Sequence, residues 1–160
     1  MLLRKRAWDI VREDYASVPE SANMLETVRA LTEAQQRHPG LDAVVVLGPE
    51  GVFRGLVSMD DLLAAMERNV FRDKGLDGTR GADWDEAFRR ACLTCSEVRA
   101  ADLLRQDEPA MHPNDPLIMV VEFFLDRRGN TAVVREGERV LGVVLKTDAF
   151  AEVGREVLGG

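Results

Sequence analysis

The sequence predicts an α+β chain of tandem β-α-β-β-α repeats packed with pseudo-twofold symmetry. Three observations predict it. Residues 42–64, DAVVVLGPEGVFRGLVSMDDLLA, align without a gap on residues 129–151, GNTAVVREGERVLGVVLKTDAFA, 87 positions later. Residues 6–14, RAWDIVRED, align on residues 99–107, RAADLLRQD, 93 positions later. In both copies an apolar run, a glycine-bearing turn, a second apolar run and a helical pattern follow in the same order. Repetition of this kind is a stronger guide to architecture than any single motif. The unequal offsets make the first copy longer in its middle.

Each element has a local reason. Residues 7–12 form a short helical lead-in, and Tyr15 to Val18 an extended piece ended by Pro19. Ser21 is placed to cap a helix over 22–37, where Met24, Leu25, Val28 and Leu31 recur at helical spacing and Pro39-Gly40 stops the helix. Ala43 to Leu47 is continuous and valine-rich, a buried strand. Pro49-Glu50-Gly51 turns the chain into a second strand over 52–57. Ser58 or Asp60 then starts a helix reaching about Val70. Residues 74–83, KGLDGTRGAD, read as a polar loop, and residues 84–97 as a helix. The second copy gives a helix over 116–126, strands over 131–134 and 139–145, and a last helix from Thr147 or Asp148. The organisation expected is a first repeat at 1–70, a loop and connecting helix at 71–98, and a second repeat at 99–160.

Composition narrows the function classes. The chain has 160 residues and 46% hydrophobic content, with Lys and Arg at 21 against Asp and Glu at 28, a net charge of −7. That balance excludes a duplex nucleic-acid surface, which needs a positive stripe. No apolar run approaches the roughly 18 residues of a membrane span, and the N-terminus does not read as a signal peptide, so no membrane partner and a cytoplasmic location are expected. Cys92 and Cys95 form a lone C-x-x-C inside a helical stretch. Structural thiols, a redox pair and a metal site are the three readings, and the zinc reading lacks a second ligand pair. His38 and His112 lie in different halves beside Pro39 and Pro113, and no triad, P-loop or dinucleotide fingerprint is present. No enzyme, catalytic residue, metal or resident cofactor is expected.

The chemistry-bearing stretches are GLVSMDD at 55–61 and GVVLKTD at 142–148. Each has a glycine six residues before an aspartate at a helix start. Ser58, Asp60, Asp61 and Asp148 suit helix capping and the positive end of the helix dipole. They equally suit a ligand: a carboxylate accepts charge-assisted bonds from a vicinal diol, and Ser58 and Asp61, three apart, share a helix face.

The order and spacing of these elements resemble a CBS-domain pair, or Bateman module, over nearly the whole chain. The resemblance rests on the aspartate-bearing helix that opens each unit, here Asp9-Ile10-Val11 and Asp102-Leu103-Leu104. It rests also on the short strand before a proline, here Pro19 and Pro113. The third feature is the pattern of glycine, apolar residues, hydroxyl residue, two variable residues and aspartate. The first copy has Gly55, Ser58 and Asp61; the second has Gly142 and Asp148, with Leu145 in place of the hydroxyl. The family's proline at the start of the middle strand is absent from both copies, Val45 and Ala132 standing there.

The resemblance implies a regulatory module that senses AMP, ADP, ATP or S-adenosylmethionine in the cleft between repeats and signals to an effector protein. Asp61 and Asp148 would take the ribose and Ser58 would lie beside it. Val18 and Val45 would border the base slot, with Ala132 at the matching place of the second copy, and Asn130 would contact the base or shape its turn. Arg135, Arg139 and Lys146 would be solvated charges or phosphate partners. Leu145 removes a donor and makes the second site the weaker one. Apolar positions Leu62, Leu63, Met66, Phe150, Val153 and Val157 predict a homodimer. The alternative is a ligand-free dimeric structural or interaction module with empty clefts.

Overall fold

The computed structural model describes residues 4–71, 81–105 and 108–159. Helix α1 (Ala7–Ile10) opens the chain. Strand β1 (Ser17–Pro19) runs parallel to β2 (Ala43–Leu47), which pairs antiparallel with β3 (Phe53–Ser58). Helix α2 (Met24–Arg37) is the β1–β2 crossover and buries Met24, Thr27, Leu31 and Ala34, a single face at spacings of three and four. Its cap is Asn23, not the expected Ser21. The Asn23 side chain accepts from the Glu26 N–H at 2.9 Å, and Glu26 reaches back toward the Asn23 N–H. At Ser21 the chain is still turning, because the next amide, Ala22, donates to the Pro19 carbonyl. Helix α3 (Met59–Phe71) follows β3 without a loop.

Helix α4 (Gly81–Leu93) packs on α3 and takes in the last three residues of the expected 74–83 loop. Residues 74–80 of that loop lie outside the described residues. The helix expected over 84–97 ends at Leu93; Cys92 is in α4, and Cys95 falls in a separate 3-10 turn, Cys95–Glu97. A further 3-10 turn, Ala100–Leu103, stands where α1 stands in the first copy.

The second repeat continues with α5 (Leu117–Asp126), β4 (Thr131–Glu136), β5 (Arg139–Leu145) and α6 (Lys146–Gly159). Its first strand shrinks to one parallel bridge, Met111 to Val134, in which Met111 donates to Val133 and accepts from Arg135. The cause is in the sequence. A parallel ladder uses alternate amides of one strand, and the next ones on either side belong to Pro109 and Pro113, which have no N–H to give.

The hairpins correct the gapless alignment. Ala43 pairs with Ser58 and Leu47 with Phe53, while Thr131 pairs with Leu145 and Arg135 with Val140. The second turn is therefore one residue shorter, and the middle strands correspond 88 positions apart, not 87. The counterpart of Val45 is Val133, and that of Ala132 is Val44. A one-residue slip moves a side chain to the opposite face of a strand.

The two lead-in segments are exchanged. Ala7 and Ile10 join Met111, Leu117, Val120, Phe124, Val134 and Val144 in the core of the second repeat. Ala100, Leu103 and Leu104 join the larger cluster of Val44, Val45, Leu56 and Val57, which Val133, Val143 and Leu145 also enter. Backbone bonds follow the same crossing: Ala7 donates to Asp115 and Trp8 to Pro113, while Met24 donates to Val98 and Ala100 to Ala22. No helix among the described residues is long and apolar enough to cross a membrane.

The crossing is tightest at Gly142. Arg12 and Val143 exchange two backbone bonds of 2.7 and 3.0 Å. Gly142 has φ +157°, and a Cβ there would lie 2.3 Å from the Arg12 carbonyl oxygen and 2.7 Å from Val11 Cγ2. Backbone cannot yield as a side chain can, so Gly142→Ala is expected to destabilise the fold by about 2–4 kcal/mol. Gly55→Ala meets the movable Leu104 side chain at 3.0 Å and Glu108 Cβ at an ordinary 3.8 Å, and should cost less. Urea unfolding of both variants measures the difference, and equal losses would contradict this account.

Candidate functional site

A cleft opens between the repeats. Two adjoining cavities of about 310 and about 240 Å³ share Leu56, Arg105, Glu108, Arg128, Gly129 and Thr131 in their walls. Phe123, Phe124, Arg127 and Ala132 close one end, and Ser58, Asp60 and Asp61 the other.

Ser58 and Asp61 meet at the start of α3. The Asp61 amide donates to Ser58 Oγ and the Ser58 amide to Asp61 Oδ2, each at 3.0 Å. This is a reciprocal capping box built on an S-x-x-D spacing. The other carboxylate oxygen, Oδ1, accepts from Arg105 Nη2 at 2.9 Å. The Asp61 side chain is 17% exposed and that of Arg105 63%. The capping reading of Ser58 is realised, and Asp61, whose Oδ1 is held by one exposed arginine, lines the cleft.

Asp148 has the opposite fate. Arg12 Nε and Nη2 donate to its two oxygens at 2.5 and 2.9 Å. Arg12 Nη1 also donates to His38 Nδ1, so the His38 proton sits on Nε2, which faces Asp14 Oδ2 at 2.9 Å. Asp14 is held in turn by Arg37. Leu145, where the first copy has Ser58, is 3% exposed in the shared core. Arg12 and Arg105 occupy the same place in the two copies, so the ion pairs are images of each other: each motif aspartate is held by an arginine of the other repeat's lead-in segment.

The remaining sequence candidates divide. Ala132 lines the cleft. Val45 is fully buried and Val18 is 7% exposed, both in the core, so neither borders the cleft as expected. The register explains Val45: its true counterpart is Val133, on the face opposite Ala132. The Asn130 amide donates to Asp42 Oδ2 at 2.9 Å, which favours the turn reading. Asp42 Oδ1 accepts from the Thr131 hydroxyl at 2.7 Å. Arg135 lies over the Phe53 ring and Lys146 near that of Phe124. Arg139 bridges Val52, and exposed His112 accepts from the Asn114 amide within its turn; neither lines the cleft. Among the described residues no cluster of His, Cys, Asp and Glu could hold a metal.

Arg105, Glu108, Arg127 and Arg128 were not expected in the cleft. Only Arg105 had a signal, its repeat match to Arg12. The hydrogen bond that Arg105 donates to Asp61 raises the guanidinium above its ordinary value, as the bond to Asp148 does for Arg12, each against an opposing effect of burial. Arg37 holds Asp14 below the usual carboxylate range, and burial lifts Tyr15. Burial also pushes Glu108 up, against Arg105 and with help from Asp61.

The two ion pairs should differ in weight. Arg12→Ala removes a bidentate, partly buried pair and is expected to cost about 1.5–3 kcal/mol. Arg105→Ala removes one exposed contact and should cost less than about 1 kcal/mol. Thermal melts of both variants test this ordering.

Residues 7–68 match the model of the CBS domain family. No curated protein matches the sequence. A CBS domain pair/ACT domain protein from Thermotoga maritima is similar at 20% identity and a TM-score of 0.65, over 97% of this chain and 100% of that one. CBSX2, in complex with AMP, is similar at 13% identity and 0.67, over 95% and 98%. The soluble part of a magnesium transporter is similar at 15% identity and 0.68, over 97% of this chain and 50% of that one. At such identities the likeness is one of fold. The chain has the fold of a CBS-domain pair, the Bateman module, and its residues 7–68 match the CBS domain model.

Proposed function

We propose that the chain is a non-catalytic, cytoplasmic regulatory module that binds an adenosine-containing ligand (AMP, ADP, ATP or S-adenosylmethionine) in the cleft at Asp61 and signals to an effector protein. Its repeats are taken as residues 1–70 and 99–160. The observation that carries the reading is Asp61 in the cleft wall, with Oδ2 in the helix cap and Oδ1 held by the single contact to Arg105, in a cleft also lined by Arg127, Arg128, Phe123 and Phe124. The ribose diol would replace Arg105 on that oxygen. The base would lie against Leu56, Phe123 and Ala132, and a phosphate would meet Arg105 or Arg128. The joined cavities suit a nucleoside in size. The AMP bound by CBSX2, a protein of like fold, supports the ligand class. Asp148 takes no part in this ligand site, because Arg12 holds both of its oxygens and Leu145 fills the place of the hydroxyl.

Calorimetric titration of the whole chain with these nucleotides tests the reading. One site per chain is expected. Asp61→Ala should weaken binding about ten- to a hundredfold, the worth of a charge-assisted bond of roughly 1.5–3 kcal/mol. Asp148→Ala should lower stability and leave affinity nearly unchanged. If no adenosine ligand binds at millimolar concentration, the alternative of a ligand-free interaction module is preferred; the ion pairs that occupy both aspartates favour that alternative.

A homodimer is part of the proposal. Helices α5 and α6 pack side by side and leave Leu125 80%, Phe150 75% and Val157 76% exposed. Large apolar side chains left exposed on two packed helices are suited to cover by a partner. Leu62, among the apolar positions first expected there, is instead 5% exposed in the core. Light scattering should give twice the chain mass at tens of micromolar, and Phe150→Glu should give a monomer.

A further inference from the structure

We infer that the cleft selects an adenosine ligand of low negative charge, and that Glu108 is the residue that makes it selective. The inference deepens the adenosine reading and rests on it. A pocket made for a polyphosphate needs surplus positive charge. The walls of this one carry Arg105, Arg127 and Arg128 against Asp42, Asp60, Asp61 and Glu108. Asp61 and Arg105 already pair with each other, while Asp42 accepts only from neutral donors, the Thr131 hydroxyl and the Asn130 backbone N–H, and keeps its charge. Arg127 lies 4.7 Å over the Phe123 ring. What is left does not favour several phosphates.

Glu108 is the singular member of this set. It lies in the wall common to both cavities, so a ligand spanning them must pass it. It is half-buried, and among the described residues no hydrogen bond or ion pair is made to it. The charges that face it are Arg105, Arg127 and Asp61, and the cost of its burial outweighs the two arginines, so its carboxyl sits above the ordinary value. A desolvated carboxylate without a partner attracts a donor or a cation and repels an anion. An amino or sulfonium group is therefore a good neighbour for Glu108, one phosphate is tolerable beside Arg127 and Arg128, and a triphosphate is not.

The test uses the full chain with adenosine, AMP, ATP and S-adenosylmethionine, titrated into wild type and Glu108→Gln. In wild type, ATP should bind at least about tenfold more weakly than AMP, the effect of roughly one uncompensated charge about 12 Å away at an effective dielectric near 20. In Glu108→Gln, ATP affinity should rise about tenfold, S-adenosylmethionine affinity should fall, and adenosine should change less than about twofold. The opposite signs separate charge selection from a packing defect, which would move all four ligands together. The amide also escapes the cost of burying a charge, so the variant should melt no lower than wild type at pH 7. ATP binding tightest in wild type, or all ligands shifting alike in the variant, would overturn the inference while leaving the adenosine reading intact. No binding by any of the four would overturn both.

Discussion

The close approach of the Arg12 backbone to β5 at Gly142 is the constraint on which the rest of the structure depends. It commits residues 5–12 to the second repeat, placing Ala7 and Ile10 in that core. It also sets the Arg12 side chain on Asp148. The glycine-to-aspartate spacing then has one explanation in both copies. A glycine within the second hairpin strand makes room for the other repeat's lead-in segment. The aspartate, in the first turn of the helix that follows, receives the arginine that segment carries. Leu104 at Gly55 and Arg105 at Asp61 repeat the arrangement. Two hairpins with few strands of their own are thereby joined into one body, since neither repeat keeps its own lead-in segment.

A single side chain separates the two copies in chemistry. Ser58 takes part in a capping box, which occupies one oxygen of Asp61 and leaves Arg105 with only one contact. Leu145 cannot cap. Asp148 is then free to turn both oxygens to Arg12, and the apolar side chain fills the space beside it. The loss of one hydroxyl thus converts a shared, half-open carboxylate into a fully committed structural one. This is a larger change than the removal of one hydrogen-bond donor from a site.

The repeat, its element order and the start of α3 were legible because they are local: turn residues, apolar spacing and S-x-x-D act over a few positions. The register was not. AVVVL and TAVV are continuous apolar runs, and a run without alternation does not tell one face from the other. The one-residue difference in turn length was therefore hidden, and with it the side on which Val45 and Ala132 fall. Nor was the exchange of lead-in segments legible, because Arg12 and Asp148 are 136 positions apart. The alignment of Arg12 with Arg105 was visible, but a repeat match indicates equivalent positions and not which repeat each one touches. Glu108 carried no signal. A glutamate after RQD resembles any solvated turn residue until the fold half-buries it.

The division of the Asp61 carboxylate determines how a bound ligand could be felt elsewhere. Oδ2 is occupied by the cap, so Oδ1 is the atom for which Arg105 and a ribose would compete. Because the Arg105 contact is single and exposed, its loss costs little, less than about 1 kcal/mol. The cap persists through the exchange, and α3 has no reason to move. Arg105 does, and it belongs to the segment that carries Leu103 and Leu104 into the first repeat's core. In the proposed sensor, the change on binding would therefore begin in the exchanged segment of the second repeat and not in the helix that bears the aspartate. The matching segment of the first repeat, fixed at Gly142 and on Asp148, would hold the other side of the module still.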